Sequence, residues 1–149
     1  MTDFTDTYIR ASKLFRAVMT AGLRRHGLHL GQNLVLVALV ERDGRTPGEI
    51  AAETEVTTPT IVKMANRMAA SGLLIKKRDT HDNRLVRLHL TPAGRRLAGP
   101  VATELQAVDA RLTAGLSDAQ RRTLLRLLDK VNANAAELLA TWNEPADEQ

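Results

Sequence analysis

The sequence contains no cysteine among its 149 residues. This absence excludes a disulfide framework, a thiol-based redox sensor and any metal site that uses cysteine ligands. No apolar run approaches the ~20 residues that a transmembrane helix requires. The first residues, MTDFTDTYIRASK, lack the cationic segment followed by an apolar core that marks a signal peptide. We therefore expect a cytoplasmic protein that has no membrane partner.

Motifs of common enzymes are also missing. There is no Gly-x-Ser-x-Gly, no Walker loop and no Gly-x-Gly-x-x-Gly, and the four histidines do not form His-Glu-x-x-His. Without cysteine, a metal site would have to recruit distant carboxylates. We therefore expect no catalytic residues, no cofactor and no metal.

The middle of the chain is basic. Residues 42–100 carry eleven Lys/Arg and six Asp/Glu, whereas residues 101–149 carry five and eight. The overall composition, 44% apolar and 26% charged, is typical of a folded globular domain. A basic middle segment indicates a polyanionic partner, although a scattered, solvated surface would account for the charge balance alone.

Capping signals predict a helix-turn-helix. Helical patterns cover residues 7–25 and 30–41, and Thr46-Pro47-Gly48-Glu49 then has the form of a capping box. Thr57-Thr58-Pro59 opens a further helix, which we expect to end near Ala70, before Gly72. Three or four residues separate these two short helices, which is the spacing of a helix-turn-helix.

A β-hairpin and two long helices are predicted next. Residues 85–90 alternate between apolar and polar after a turn-rich stretch at 79–83, so we expect an antiparallel hairpin, here called the wing. Thr91-Pro92 and the capping box Ser117-Asp118-Ala119-Gln120 open the C-terminal helices. Their leucine stripes are too long for a small domain to cover and predict a homodimer.

The predicted architecture is mainly α with a small β-hairpin wing. It is a single domain over residues 1–149, with a winged helix-turn-helix lobe at 31–98 and dimerisation helices at 1–28 and 99–149.

The helix after Thr57 has an apolar stripe for the core (Ile61, Met64, Ala65 and Met68). Its other face has what a helix in the DNA major groove needs, namely hydroxyls and then cations (Thr57, Thr58, Thr60, Lys63 and Arg67). Any surface helix could also show such a polar face.

The wing is rich in cations (Lys76, Lys77, Arg78, Arg84 and Arg87). A basic hairpin tip fits the DNA minor groove, where A·T-rich sequence concentrates negative potential. Asp79 and Asp82 are expected to pair with and orient Arg84 or Arg67. For Asp79, an ordinary turn aspartate that bonds the local backbone is an equally open interpretation.

These features resemble the MarR family of bacterial regulators over nearly the whole chain. The resemblance rests on the element order, on Ser71-Gly72-Leu73-Leu74, and on the wing run from Arg78-Asp79 through Asp82-Asn83-Arg84 to Leu90-Thr91-Pro92-Ala93-Gly94. It implies that Arg84 is the minor-groove arginine and Asp82 its partner, and that Thr58, Thr60, Lys63 and Arg67 face the major groove. Asn83 departs from the arginine usual in the family, which should weaken the wing contacts.

The resemblance also implies a small aromatic or anionic effector, bound between the dimerisation helices and the DNA-binding lobe. Lys13 and Arg16, with His29 and Gln32, match positions that line this crevice in relatives that bind aromatic acids. Lys13 and Arg16 lie one helical turn apart and could share one carboxylate. The alternative is a solvated basic face on an amphipathic helix.

We therefore expect a homodimeric, sequence-specific DNA-binding regulator, acting as a repressor on an inverted-repeat operator and released by a small molecule. The alternative is a winged-helix protein–protein adaptor that does not bind DNA. An adaptor has little reason to keep cations at Lys63, Arg67 and Arg84, so these residues favour the regulator.

Overall fold

The computed structural model describes residues 3–143, and within that range it has six helices and one two-stranded antiparallel sheet. The helices are α1 (Phe4–Arg24), α2 (Gln32–Glu41), α3 (Pro47–Thr54), α4 (Thr58–Ala70), α5 (Pro92–Leu112) and α6 (Asp118–Asn143). The strands are β1 (Leu74–Arg78) and β2 (Val86–Leu90). The predicted fold class, mainly helical with a hairpin wing, is confirmed.

The predicted capping boxes form. The Thr46 hydroxyl accepts the N–H of Glu49 at 3.2 Å, and the Glu49 carboxylate accepts the N–H of Thr46 at 3.0 Å. Ser117 and Gln120 make the same reciprocal pair at 3.2 and 2.9 Å. Each box satisfies two amide groups that a helix start leaves without partners, so these two helix starts are determined locally.

Two compact units make up the chain, one extending to Asp109 and the other beginning at Ala110. The core of the first unit contains apolar side chains from α1, α2, α3, α4, α5 and both strands (Leu23, Val35, Leu36, Leu39, Ile50, Ile61, Met68, Leu74, Leu88 and Val101). Ile61, Ala65 and Met68 of α4 are buried, and the predicted apolar stripe thus faces the core.

The helix-turn-helix leads directly into the wing. Residues 55–57 separate α3 from α4, and α4 ends before Gly72, whose φ of +75° is the left-handed conformation that favours glycine. β1 then pairs with β2 from Leu74↔Leu90 to Arg78↔Val86. Leu88 and Leu90 are buried, as the alternation predicts.

The second unit exposes its apolar side chains. No residue of α6, Asp118–Asn143, is buried, and Leu138 and Trp142 are 47% and 71% exposed. None of the helices within residues 3–143 is at once long and apolar enough to span a membrane.

Candidate nucleic-acid interface

The N-terminus of α4 differs from that of α3. In α3 the Thr46–Glu49 capping box occupies the first amide groups and adds a carboxylate. In α4 no side chain caps the first turn, and the Thr57 hydroxyl instead lies 2.8 Å from the Thr60 hydroxyl. Uncapped amide groups and the positive end of the helix dipole attract phosphate, so α4 suits an anionic partner and α3 does not.

The predicted recognition residues of α4 lie together on its surface. Thr57, Thr58, Thr60, Lys63 and Arg67 are all exposed, while the opposite face of the helix is buried. Thr60, Lys63 and Arg67 also line an open pocket of about 160 Å³, together with His29, Leu30, Gln32 and Met64. The pocket joins the start of α2 to the polar face of α4.

The tip of the wing holds Arg84 in a defined orientation. Both carboxylate oxygens of Asp82 accept from the Arg84 guanidinium, from Nε at 3.1 Å and from Nη2 at 3.3 Å. The Arg84 backbone N–H donates to the same carboxylate at 3.0 Å. These bonds from Arg84 keep the pKa of Asp82 below its ordinary value. The Arg84 side chain is 90% exposed, and its remaining N–H groups are free to donate outward.

Asp79 both bonds the local backbone and pairs with an arginine, but the arginine is not one of those expected from the sequence. Its carboxylate accepts the backbone N–H groups of His81 at 3.3 Å and Asp82 at 3.0 Å, as a turn aspartate does. It also accepts from Nε of Arg87 at 2.6 Å. The expected pairing of Asp79 with Arg84 or Arg67 was wrong, because Arg87 lies diagonally across the hairpin from Asp79.

Several wing cations have partners within the protein. Lys76 Nζ donates to the Asn66 side chain of α4, and Arg78 Nη1 donates to the Asn83 carbonyl at 3.4 Å. Arg87 donates to Asp79 and, through Nη1, to the Gly44 carbonyl at 2.9 Å. These three cations therefore brace the wing in addition to contributing positive charge.

The predicted effector residues are only partly brought together. His29 and Gln32 line the pocket beside α4, and the Gln32 side chain accepts the His29 N–H at 3.0 Å. Lys13 and Arg16 are exposed on α1 and are not among the residues that line the pocket. In residues 3–143 there is no group of three or more His, Asp or Glu placed to hold a metal ion.

Sequence reasoning missed a cluster centred on Asp43. Its carboxylate accepts from the Leu90 N–H at 2.9 Å, lies 3.0 Å from His89 Nδ1, and pairs with Arg95 at 3.2 Å. Asp43 lies 46 residues from His89 in the chain, and no local pattern indicates the contact. The Asp79–Arg87 pair was predictable once the hairpin register was known, because diagonal residues on one face of a hairpin are neighbours.

Residues 26–85 match the MarR family of transcriptional regulators. The chain belongs to the MarR family. Members of this family are DNA-binding transcriptional regulators and not enzymes. The chain is 26% identical over 125 residues to an HTH-type transcriptional repressor of Mycobacterium tuberculosis, covering 84% of this chain and 90% of that protein. It spans 66% of the length of another curated relative.

Solved structures share the fold of this MarR-family chain. S. aureus MepR in complex with DNA superimposes with a TM-score of 0.82 at 19% identity, covering 90% of this chain and 99% of that one. Bordetella bronchiseptica BpsR, whose DNA binding is regulated by 6-hydroxynicotinic acid, superimposes with a TM-score of 0.78 at 25% identity, covering 87% and 93%.

Replacing Arg84 with alanine should weaken DNA binding in a way that depends on base composition. An arginine inserted in the minor groove senses its width, so the expected loss is about 1–3 kcal/mol beside A·T pairs and less beside G·C pairs. The control is Lys77→Ala, which removes an exposed wing cation. If Lys77 contacts only phosphate, its loss should weaken all sequences alike and lower the salt slope by about one. Binding isotherms on matched duplexes at several salt concentrations measure both effects, and equal losses on both flanks for Arg84→Ala would contradict the assignment.

Proposed function

We propose that this MarR-family chain is a homodimeric repressor that binds an inverted-repeat operator and is released by a small anionic molecule. The observation that carries the proposal is the pairing of two exposed basic elements in one unit. The α4 face offers Thr60, Lys63 and Arg67 beside an uncapped helix start, and the wing offers Arg84 held by Asp82. The first suits the major groove and the second the minor groove.

The repressor role is supported by a relative. The M. tuberculosis protein, with 26% identity over 84% of this chain, is named a transcriptional repressor. A protein that covers its operator with α4 and the wing can exclude other proteins from the same DNA. We therefore assign repression to this chain, with Thr57, Thr58, Thr60, Lys63, Arg67, Arg78 and Arg84 at the DNA surface and Asp82 orienting Arg84.

Homodimerisation is supported by exposed apolar surface on the terminal helices. On α1, Phe4 and Leu14 are 60% and 62% exposed, and on α6, Leu139 and Trp142 are 57% and 71% exposed. Each of these helices exposes several large apolar side chains, which is typical of a helix that packs against a partner, and most homo-oligomers have two-fold symmetry. A two-fold dimer presents two copies of α4 to DNA, so its operator is an inverted repeat.

Replacing Leu138 with glutamate should produce a monomer with strongly weakened operator binding, because a charge would be buried at the proposed interface. Ala133→Glu is the matched control, since Ala133 is exposed on the same helix but about 140° around it at 3.6 residues per turn. Sedimentation velocity at micromolar concentration measures the oligomeric state. A stable wild-type monomer, or a dimer unaffected by Leu138→Glu, would refute the proposed interface.

The effector part of the proposal is supported by the pocket between α2 and α4. Its lining combines Lys63 and Arg67 with the Thr60 hydroxyl and the apolar side chains of Leu30 and Met64. This combination suits an aromatic carboxylate, since the cations fit the anion and the apolar groups fit the ring. DNA binding of the structural relative BpsR is regulated by 6-hydroxynicotinic acid.

Salicylate should bind the free protein and weaken its hold on DNA. Titration calorimetry without DNA should show that Lys63→Gln, a substitution in the pocket, lowers the affinity of the protein for salicylate. Arg16→Gln tests the clamp expected on α1: unchanged affinity would remove Lys13 and Arg16 from the site, and lost affinity would place them in it. No heat of binding from salicylate or related aromatic acids to the wild type would contradict the effector proposal.

A further inference from the structure

The Arg87 guanidinium connects the wing to the turn between α2 and α3, which is here called the body of the protein together with those two helices. Its Nε donates to Asp79 on the wing at 2.6 Å, and its Nη1 donates to the Gly44 carbonyl at 2.9 Å. The Asp79 and Arg87 side chains are 10% and 34% exposed. Since Gly44 lies between α2 and α3, this one guanidinium links the hairpin to the start of the helix-turn-helix.

The Gly44 carbonyl is itself held in place. The Gly44 N–H donates to the Leu88 carbonyl at 2.9 Å, and its φ of +80° is a left-handed conformation that favours glycine. The following residue, Arg45, has a nearly buried side chain that pairs with Glu41 of α2 and Glu53 of α3. Arg87 therefore bonds to a rigid part of the body.

The bonds continue from Asp79 to the wing tip. The second carboxylate oxygen of Asp79 accepts the N–H of Asp82 at 3.0 Å, and Asp82 holds the Arg84 guanidinium through two side-chain bonds. Gly44, Arg87, Asp79, Asp82 and Arg84 thus form a continuous chain of hydrogen bonds, here called the wing relay. It runs from the turn between α2 and α3 to Arg84 at the tip, whose side chain is 90% exposed.

Arg87 is poorly suited to contact DNA directly. The N–H groups on Nε and Nη1 of Arg87 already donate within the protein. The Asp79 carboxylate beside the guanidinium also offsets the positive charge of Arg87. The hydrogen bond from Arg87, followed by the N–H of Asp82, lowers the pKa of Asp79, so this carboxylate stays charged at neutral pH. Arg84 differs, because its side chain is 90% exposed.

We infer that Arg87 is a positioning residue: through the wing relay it fixes the direction in which Arg84 leaves the wing, and so sets the preference for A·T-rich flanks. This inference rests on the proposed DNA-binding function and adds to it a residue that makes no DNA contact of its own. Asp79 is a positioning residue of the same wing relay, because its carboxylate accepts from both Arg87 and the turn that holds Asp82.

The decisive variant is Arg87→Lys, which keeps the positive charge but lacks the planar fork needed to reach Asp79 and Gly44 together. Binding is measured on the duplex selected by the wild type from random DNA, with its flanks made either A·T or G·C, at several salt concentrations. The comparison set is Arg84→Ala, Asp79→Asn and Arg84→Ala/Arg87→Lys. Lys77→Ala is the control, because it removes an exposed cation from the position opposite Arg87 in the hairpin register. Thermal unfolding and sedimentation identify any variant that fails to fold or dimerise.

Arg87→Lys and Asp79→Asn should each lose about fivefold or more of the affinity for the A·T-flanked duplex, toward the ~5- to 150-fold loss expected for Arg84→Ala. The losses on the G·C-flanked duplex should be smaller, and the salt slope should stay unchanged. The double variant should bind no worse than Arg84→Ala, because the two residues act through one contact. Wild-type affinity of Arg87→Lys for the A·T-flanked duplex, or additive losses in the double variant, would overturn the inference.

A measurement on the free protein keeps the inference separate from the proposed function. Arg87→Lys should increase the picosecond–nanosecond mobility of the Arg84 Nε–H group and of the amides of residues 79–85, as seen by ¹⁵N relaxation. Unchanged order at these sites would refute the relay even if DNA binding is as proposed. If the wild type binds no DNA but Arg87→Lys still loosens these sites, the proposed function is refuted and the relay stands.

Discussion

Strand β2 is bonded along both of its edges, to β1 on one side and to residues 43–45 on the other. The second set includes the Gly44 N–H to the Leu88 carbonyl and the Leu88 N–H to the Arg45 carbonyl, both at 2.9 Å. Leu88 is fully buried and Arg45 is 8% exposed, so breaking these bonds would leave buried backbone groups unpaired. Because residues 43–45 join α2 to α3, this ladder makes the wing and the helix-turn-helix one body. The two basic elements are then ordered by folding, and binding does not have to order them again.

The charges of this body are divided by position. Two aspartates turn toward internal partners, Asp43 toward His89 and Arg95, and Asp79 toward Arg87. Partial burial alone would raise the pKa of Asp43, but hydrogen bonds from Leu90 and His89 and the charge of Arg95 keep it below its ordinary value. Lys63, Arg67 and Arg84 remain exposed. A chain with 17 acidic residues therefore still presents a positive surface where the proposal places DNA.

Features governed by neighbouring residues were predictable from the sequence. The capping boxes at Thr46 and Ser117, the left-handed Gly72 and the alternation of Leu88 and Leu90 all follow from residues within a few positions of one another. The Asp82–Arg84 pair belongs to the same class, because its members are two residues apart. Local rules of this kind were enough to indicate the winged helix-turn-helix and the residues of its polar face.

Contacts between distant parts of the chain were not predictable in this way. From the sequence, Arg87 was one of several wing cations, yet it bonds to Gly44, 43 residues away. The bond depends on how the hairpin packs beside the turn between α2 and α3, and neither segment encodes that geometry alone. For the same reason, the pocket that gathers His29, Thr60 and Lys63 was not evident from their separate positions in the chain.

Selection of bound sequences from random duplex DNA by the full-length wild-type protein tests the central claim most directly. If two copies of α4 and of the wing read DNA across a two-fold axis, the enriched sequences should form an inverted repeat. Its half-site centres should lie about 10 base pairs apart, one helical turn, with A·T pairs enriched where the wings reach the minor groove. Enrichment of a single unrepeated half-site would contradict the dimeric arrangement, and the absence of any enrichment would contradict sequence-specific DNA binding itself.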